Sequence, residues 1–132
     1  MASVLIADDN QELADAWRRA LQADGHEVTV VDDGTAAIEK LTQDRFDVVI
    51  TDVIMPKTGG IVVSGMARIH LSSAAVIAVS GYFNDISGKA KREFLSNIGV
   101  KHVLQKPVDI NELSNLVARL SSSKEQSQSE PD

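Results

Sequence analysis

Asp8, Asp9, Asp52, Ser80 and Lys106 are the residues of this 132-residue chain whose types and placing carry chemistry. Each follows a short apolar run: Asp8-Asp9 after Val4-Leu5-Ile6-Ala7, Asp52 after Val48-Val49-Ile50-Thr51, Ser80 after 74–79, and Lys106 after 100–104. If those runs are strands of one open α/β sheet, their ends share a rim, and chemistry gathers beyond the carboxyl ends of such strands. Three carboxylates pressed together repel one another, so the arrangement makes sense with a cation between them. Oxygen ligands without His or Cys suit Mg²⁺, which binds through a few carboxylates, waters and a substrate phosphate. Lys106 supplies a fixed positive charge opposite them, and Ser80 a hydroxyl donor. Together they would hold a phosphoryl group on or near Asp52, and a carboxylate can act as nucleophile to form an aspartyl-phosphate.

The elements that must position these groups are legible as an alternation of apolar runs and amphipathic stretches. The run ending at Asp52 is rich in β-branched residues and is bounded by Met55-Pro56 and Gly59-Gly60, the pattern of a strand buried on both faces. Val28-Thr29-Val30-Val31 is a further run, making five in all, and 100–104, the least apolar, belongs near a sheet edge. A first helix runs to about Ala23, capped by Asp9 or Asn10, with Leu13, Trp17 and Leu21 on one face and Gly25 closing it. Asp32-Asp33-Gly34 leads into a second helix carrying Ala37, Ile38 and Leu41. A third carries Ile61, Val62, Met66 and Ile69, weakened by Gly65. A fourth spans about Asp85 to Ile98, closed by Gly99. Asp109 and Glu112 form a capping box for a last helix to about Leu120. Strands alternating with helices imply βαβ units and a parallel sheet. The segment 121–132 has no apolar residue and reads as a disordered polar tail or linker remnant beside a 1–120 domain.

Composition bounds the function classes. The chain is 43% hydrophobic and 24% charged, as a soluble globular domain is, and it carries a net charge of −6. The tail holds Lys124 against Glu125, Glu130 and Asp132, so the body is acidic without it. An acidic body argues against a nucleic-acid surface. Zero cysteines exclude disulfides and thiolate chemistry. No stretch approaches the roughly 20 apolar residues of a membrane span, and the start lacks a signal-peptide core, so the expectation is a cytoplasmic protein. His26, His70 and His102 lack metal spacing, Trp17 belongs to the core, and Asp32-Asp33 reads as a helix cap.

Asp8-Asp9, Asp52 followed by Met55-Pro56 and Gly59-Gly60, Ser80, and Lys106-Pro107, in this order, resemble the receiver domain of bacterial two-component response regulators, over about Ser3 to Leu120. The resemblance implies a chemotaxis-regulator-like, flavodoxin-like fold: one doubly wound five-stranded parallel sheet of order 2-1-3-4-5, with five helices on both faces. It implies transfer of a phosphoryl group to Asp52 from a sensor histidine kinase or a histidine phosphotransfer protein. Mg²⁺ would be held by Asp9, Asp52, Asp8 through water, and the Ile54 carbonyl. Ser80 and Lys106 would contact the phosphoryl oxygens, and the Lys106–Pro107 bond would be cis. Such a chain is a phosphoacceptor rather than a turnover enzyme. The expectation is a stand-alone receiver that signals through contacts with a downstream protein, as a monomer or a phosphorylation-dependent dimer.

The sequence departs from the family where Val103 replaces the usual Tyr or Phe, whose ring follows the Ser/Thr when phosphate binds. Gly81 stands where Ala is common. The positions held to tune phosphate lifetime are Ile54, which cannot orient a water, and Tyr82, which would shield the acyl phosphate. A phosphorylation-independent binding module is the alternative that Val103 suggests. A haloacid-dehalogenase-type hydrolase needs a second Asp two residues after the first-strand nucleophile, which Asp8-Asp9-Asn10 lacks. A flavodoxin needs a Ser/Thr/Gly-rich loop after the first strand, also missing.

Overall fold

A computed structural model describes residues 1–53, 59–70, 73–81, 86–97 and 99–129. Five strands and five helices alternate: β1 (Ser3–Ala7), α1 (Gln11–Ala23), β2 (Glu27–Val31), α2 (Gly34–Gln43), β3 (Val48–Asp52), α3 (Gly60–His70), β4 (Ala75–Ser80), α4 (Ile86–Asn97), β5 (His102–Gln105) and α5 (Ile110–Ser129). All pairings are parallel, in the order β2-β1-β3-β4-β5.

Alternation along the strands divides the core in two. Val4 and Ile6 of β1, Val48 and Ile50 of β3, and Ile77 and Val79 of β4 face Trp17 and Leu21 of α1 and Leu113, Leu116 and Val117 of α5. The intervening Leu5, Ala7, Val49, Val76 and Ala78 face Ala37 and Leu41 of α2, Val63 and Ala67 of α3, and Leu95 of α4. Residue parity therefore decides which helical layer a strand residue meets. Every residue of β3 is buried, whereas β2 and β5, at the two edges, are half-buried.

Local signals set the helix ends. Asn10 Oδ1 accepts the Leu13 backbone N–H, Asp33 Oδ1 that of Ala36, and Asp109 Oδ1 those of Asn111 and Glu112. Gly25 and Gly99 follow α1 and α4 with φ of 96° and 92°, the left-handed conformation that glycine adopts without penalty.

Three expectations need correction. The fifth run begins later than its apolar letters: Val100 is buried in the core ahead of β5, which spans His102–Gln105. On α3 the residues turned to the sheet are Gly60, Val63, Ser64 and Ala67, while Val62 and Ile69 are exposed and Ile61 and Met66 pack at the margin of the core. Small residues let this helix lie close, which rotates the larger ones outward. The polar tail expected from 121 onward is instead helical to Ser129. No Gly or Pro occurs between Ile110 and Ser129, and a helix satisfies its own backbone groups without apolar packing.

Among the described residues outside its own helix, Gly65 has nothing within 4 Å of where a Cβ would stand. Gly65→Ala is expected to stabilise the fold by about 0.5–1 kcal/mol through helix propensity. A urea midpoint that fails to rise would contradict the open space around this position.

Candidate functional site

β1 and β3 are adjacent and in register, Ala7 beside Thr51, so the residues that follow emerge together. Asp8 continues the parity of Val4 and Ile6, Asp52 that of Val48 and Ile50, and Lys106 that of Leu104, which packs in the same layer. All three thus extend the face covered by α1 and α5. Ser80 continues the parity of Val76 and Ala78 on the opposite face, the one into which Val103 packs.

The carboxylates of Asp8, Asp9 and Asp52 each offer an oxygen within 4.8 Å of the others. Asp8 and Asp52 are buried and Asp9 is exposed. Lys106 Nζ donates to Asp52 Oδ2 at 2.9 Å and lies 3.1 Å from Asp8 Oδ2. The lysine is fixed from behind: its backbone N–H donates to the Ser80 carbonyl at 2.9 Å, prolonging the β4–β5 ladder, and the Lys106–Pro107 peptide is cis. Asp8 Oδ1 accepts the Asn10 N–H at 2.8 Å, and it is Asn10, not Asp8 or Asp9, that caps α1.

The charges respond to this crowding. Burial pushes the Asp8 carboxyl above its ordinary value, and the Asp52 charge adds to that. The Asn10 N–H and the Lys106 charge oppose it. Burial alone would lower the Lys106 ammonium, but its bond to Asp52 and the charges of Asp52 and Asp8 outweigh this and hold it above the usual lysine value.

The donor set fits a hard divalent cation. Asp8 Oδ2 is fully buried and, among the described residues, takes no hydrogen bond, because Lys106 is near enough to attract it without the direction a donor needs. One ammonium cannot satisfy three carboxylates, and all the ligand atoms are oxygen.

Other expected residues lie nearby or outside. Ser80 is buried at the end of β4, one residue past Val79, the partner of Asp52. Val103 is half-buried on β5, paired with Ala78. Among the described residues, a Cβ at Gly81 would meet only Lys106 Cβ, at 4.0 Å. Ile54, Met55-Pro56 and Tyr82-Phe83 lie outside the described residues, as do the Asp85 and Ile98 bounds expected for α4. Asp33 is the cap of α2, while Asp32 lines a cleft of about 670 Å³ that opens beside Asp8 between α1 and β2, with Glu12, Asp15 and Val30. No motif marks this cleft, because apart from Asp8 its walls are residues scattered over α1, β2 and the start of α2.

Comparison with known proteins identifies the family. The profile described as response regulator receiver domain matches residues 4–118. The chain belongs to that family. It is a receiver domain of the kind used in two-component signalling, in which aspartate phosphorylation is characteristic. A response regulator receiver protein of Anaeromyxobacter is 33% identical over 117 residues, covering 88% of this chain and 47% of that protein. The response regulator FleR of Pseudomonas aeruginosa is 33% identical over 119 residues, covering 89% and 24%. The chain thus spans about half or less of these relatives' length. Among solved structures, the Francisella response regulator 1452 receiver domain superposes with a TM-score of 0.82 at 27% identity, covering 94% of this chain and 99% of that one. A CheY-like receiver from Methanospirillum hungatei, at 21% identity and a TM-score of 0.84 over 96% and 98%, shares the fold. No helix among the described residues is long and apolar enough to cross a membrane.

Lys106→Met is expected to destabilise the metal-free receiver by about 1–3 kcal/mol near pH 8, since it leaves buried carboxylates uncompensated. The folded Asp8 binds its proton more tightly than the unfolded chain does, so acid restores stability through this group. The deficit therefore shrinks as pH falls towards about 5. Denaturation curves showing a deficit that is constant or grows in acid would contradict this.

Proposed function

We propose that this receiver accepts a phosphoryl group on Asp52 from the phosphohistidine of a sensor histidine kinase or a histidine phosphotransfer protein, and signals through contact with a downstream protein. The observation that carries the reading is the Lys106 ammonium lodged between Asp52 and Asp8, 2.9 and 3.1 Å away, with Asp9 completing a three-carboxylate group. Receiver domains as a family interact with histidine kinases. The domain comprises 1–120, with α5 prolonged as a polar helix beyond it, and the reading places it in the cytoplasm.

A carboxylate oxygen of Asp52 attacks the phosphorus, a P–O bond forms, the P–N bond to the donor imidazole breaks, and the released imidazole nitrogen takes a proton. Asp8, Asp9, Asp52 and the Ile54 carbonyl would hold Mg²⁺, which, when bound, neutralises charge on the transferring oxygens. Lys106, kept protonated by its neighbours, exchanges its bond to the bare carboxylate for one to a phosphoryl oxygen. Ser80 donates its hydroxyl to another of those oxygens. The domain turns over no separate substrate.

A second reading, a phosphorylation-independent binding module, draws on Val103, which packs into the core on the Ser80 face and has no ring to swing. Acetyl phosphate with Mg²⁺, followed by intact mass and amide NMR, separates the two. The expected result is one phosphoryl group on the native chain, none on Asp52→Asn, and shifts spreading from Ser80 towards Val103. Failure to modify the native chain would overturn the phosphoacceptor reading and favour the binding module.

Ile54 and Tyr82 make the aspartyl-phosphate long-lived in this reading, since Ile54 cannot orient a water for attack and Tyr82 shields the acyl phosphate. Mass spectra taken over time in Mg²⁺ buffer are expected to show decay over many minutes; loss within seconds would sink this assignment.

A further inference from the structure

Gly60 opens α3 against the backbone of Asp52. A Cβ placed on it would stand 1.8 Å from the Asp52 carbonyl oxygen, 2.6 Å from the carbonyl carbon and 2.7 Å from Val53 Cα. Non-bonded carbons prefer about 3.5–4.0 Å and the oxygen stands nearer still, so even a methyl group requires backbone to retreat by more than about 1 Å. Among the described residues, neighbouring glycines behave differently: a Cβ on Gly59 would meet the Val53 carbonyl oxygen at an ordinary 3.4 Å, and one on Gly65 would meet nothing outside its own helix. The demand at Gly60 is for space beside the acceptor's own peptide.

That peptide is held on both sides. Its Val53 N–H donates to the Val79 carbonyl at 2.9 Å, while on the peptide that follows the Gly60 N–H donates to the Val53 carbonyl, also at 2.9 Å. Thr51 Oγ1 donates to the Asp52 carbonyl at 3.0 Å. The side chain beyond this clamp is the carboxylate that meets Lys106. The helix itself is anchored elsewhere, through Val63 and Ala67 in the apolar core, so the Gly60 contact is not what secures α3.

We propose that Gly60 is a positioning residue for phosphoryl transfer. Its bare α-carbon lets α3 close on the Asp52–Val53 peptide, and with Thr51 it fixes the carboxylate at its distance from Lys106 and Asp8. The kinetic consequence rests on Asp52 being the phosphoacceptor; the geometric one does not. Misplacement of a reacting group by about 1 Å can cost on the order of a hundredfold in rate. Alanine favours helix over glycine, so the substitution pushes helix propensity and transfer in opposite directions.

The test introduces Gly60→Ala into the stabilised Gly65→Ala chain, with Gly65→Ala alone as reference. Phosphorylation is followed by intact mass against acetyl phosphate concentration in Mg²⁺. The maximal rate is expected to fall about tenfold or more, with the half-saturating donor concentration changed less than about twofold. The Asp52 carboxyl carbon signal, recorded by NMR without donor, is expected to move in the direction that Lys106→Met moves it in the reference. A folded Gly60→Ala chain with a rate within about twofold of the reference and an unmoved carboxyl signal would overturn the proposal. If the reference itself takes no phosphoryl group, the phosphoacceptor reading falls, and the carboxyl signal alone decides on Gly60. If Gly60→Ala does not fold, Thr51→Val, which removes the hydroxyl held on the same carbonyl while keeping the shape, carries the test. A rate lowered at least about threefold supports the clamp, and an unchanged rate overturns it.

Discussion

Two carboxylates withdrawn from water side by side are the constraint on which the rest of the molecule depends. Asp8 and Asp52 are brought together by the pairing of β1 with β3 in the middle of the sheet, where neither can turn to solvent. Leaving them bare would cost several kcal/mol per ion, so a cation must come from somewhere. Lys106 reaches them from the end of β5 across β4, and its backbone is tied to Ser80 so that the long stem starts from a fixed point. One positive charge against three negative ones still leaves a deficit that a divalent ion matches. The resting site is thus held by partial neutralisation, a state that an arriving phosphoryl group and its counter-ion can complete.

The same alternation that packs the core also aims the chemistry. Asp8, Asp52 and Lys106 follow Ile6, Ile50 and Leu104 by two residues each and inherit their face, the layer of α1 and α5. Ser80 inherits the face of Ala78, on the side of α2 to α4, where Val103 lies. The site is therefore built across the sheet, with the acidic group on one side and the hydroxyl on the other. Ser80 is therefore turned to the layer that holds α4, not the one that holds α1.

Much of this was legible in the sequence because strand ends announce themselves. Asp52 follows a run of β-branched residues too apolar for an edge, and that run is β3, buried throughout. The polar character of the last run placed it at an edge, where β5 is. Less legible was anything decided by contact distance. The letters Ile61, Val62, Met66 and Ile69 suggest an apolar face for α3, but the helix presents Gly60, Ser64 and Ala67 because only small residues allow so close an approach. Gly59-Gly60 reads as a turn, and nothing in the dipeptide says that the second glycine alone is sterically required. Val100 is apolar yet precedes its strand, since burial does not need ladder hydrogen bonds. The stretch after Leu120 has no apolar side chain to bury, and hydropathy is silent about a helix that closes its own hydrogen bonds.

Because core and chemistry share one two-residue beat, the chain has a reading frame in space as well as in its gene. One residue gained or lost within β3 ahead of Asp52 would send Ile50 to the wrong layer and point the Asp52 carboxylate at the wrong helices in the same stroke. Changes of length are tolerable only in the connections, and even there the one leading into α3 must deliver a residue without a side chain to the Asp52 peptide. A lineage carrying this fold can therefore repaint its surfaces and vary its loops while the spacing from core to carboxylate stays frozen. The outer faces can diverge freely, but the Asp52 carboxylate cannot drift along its strand.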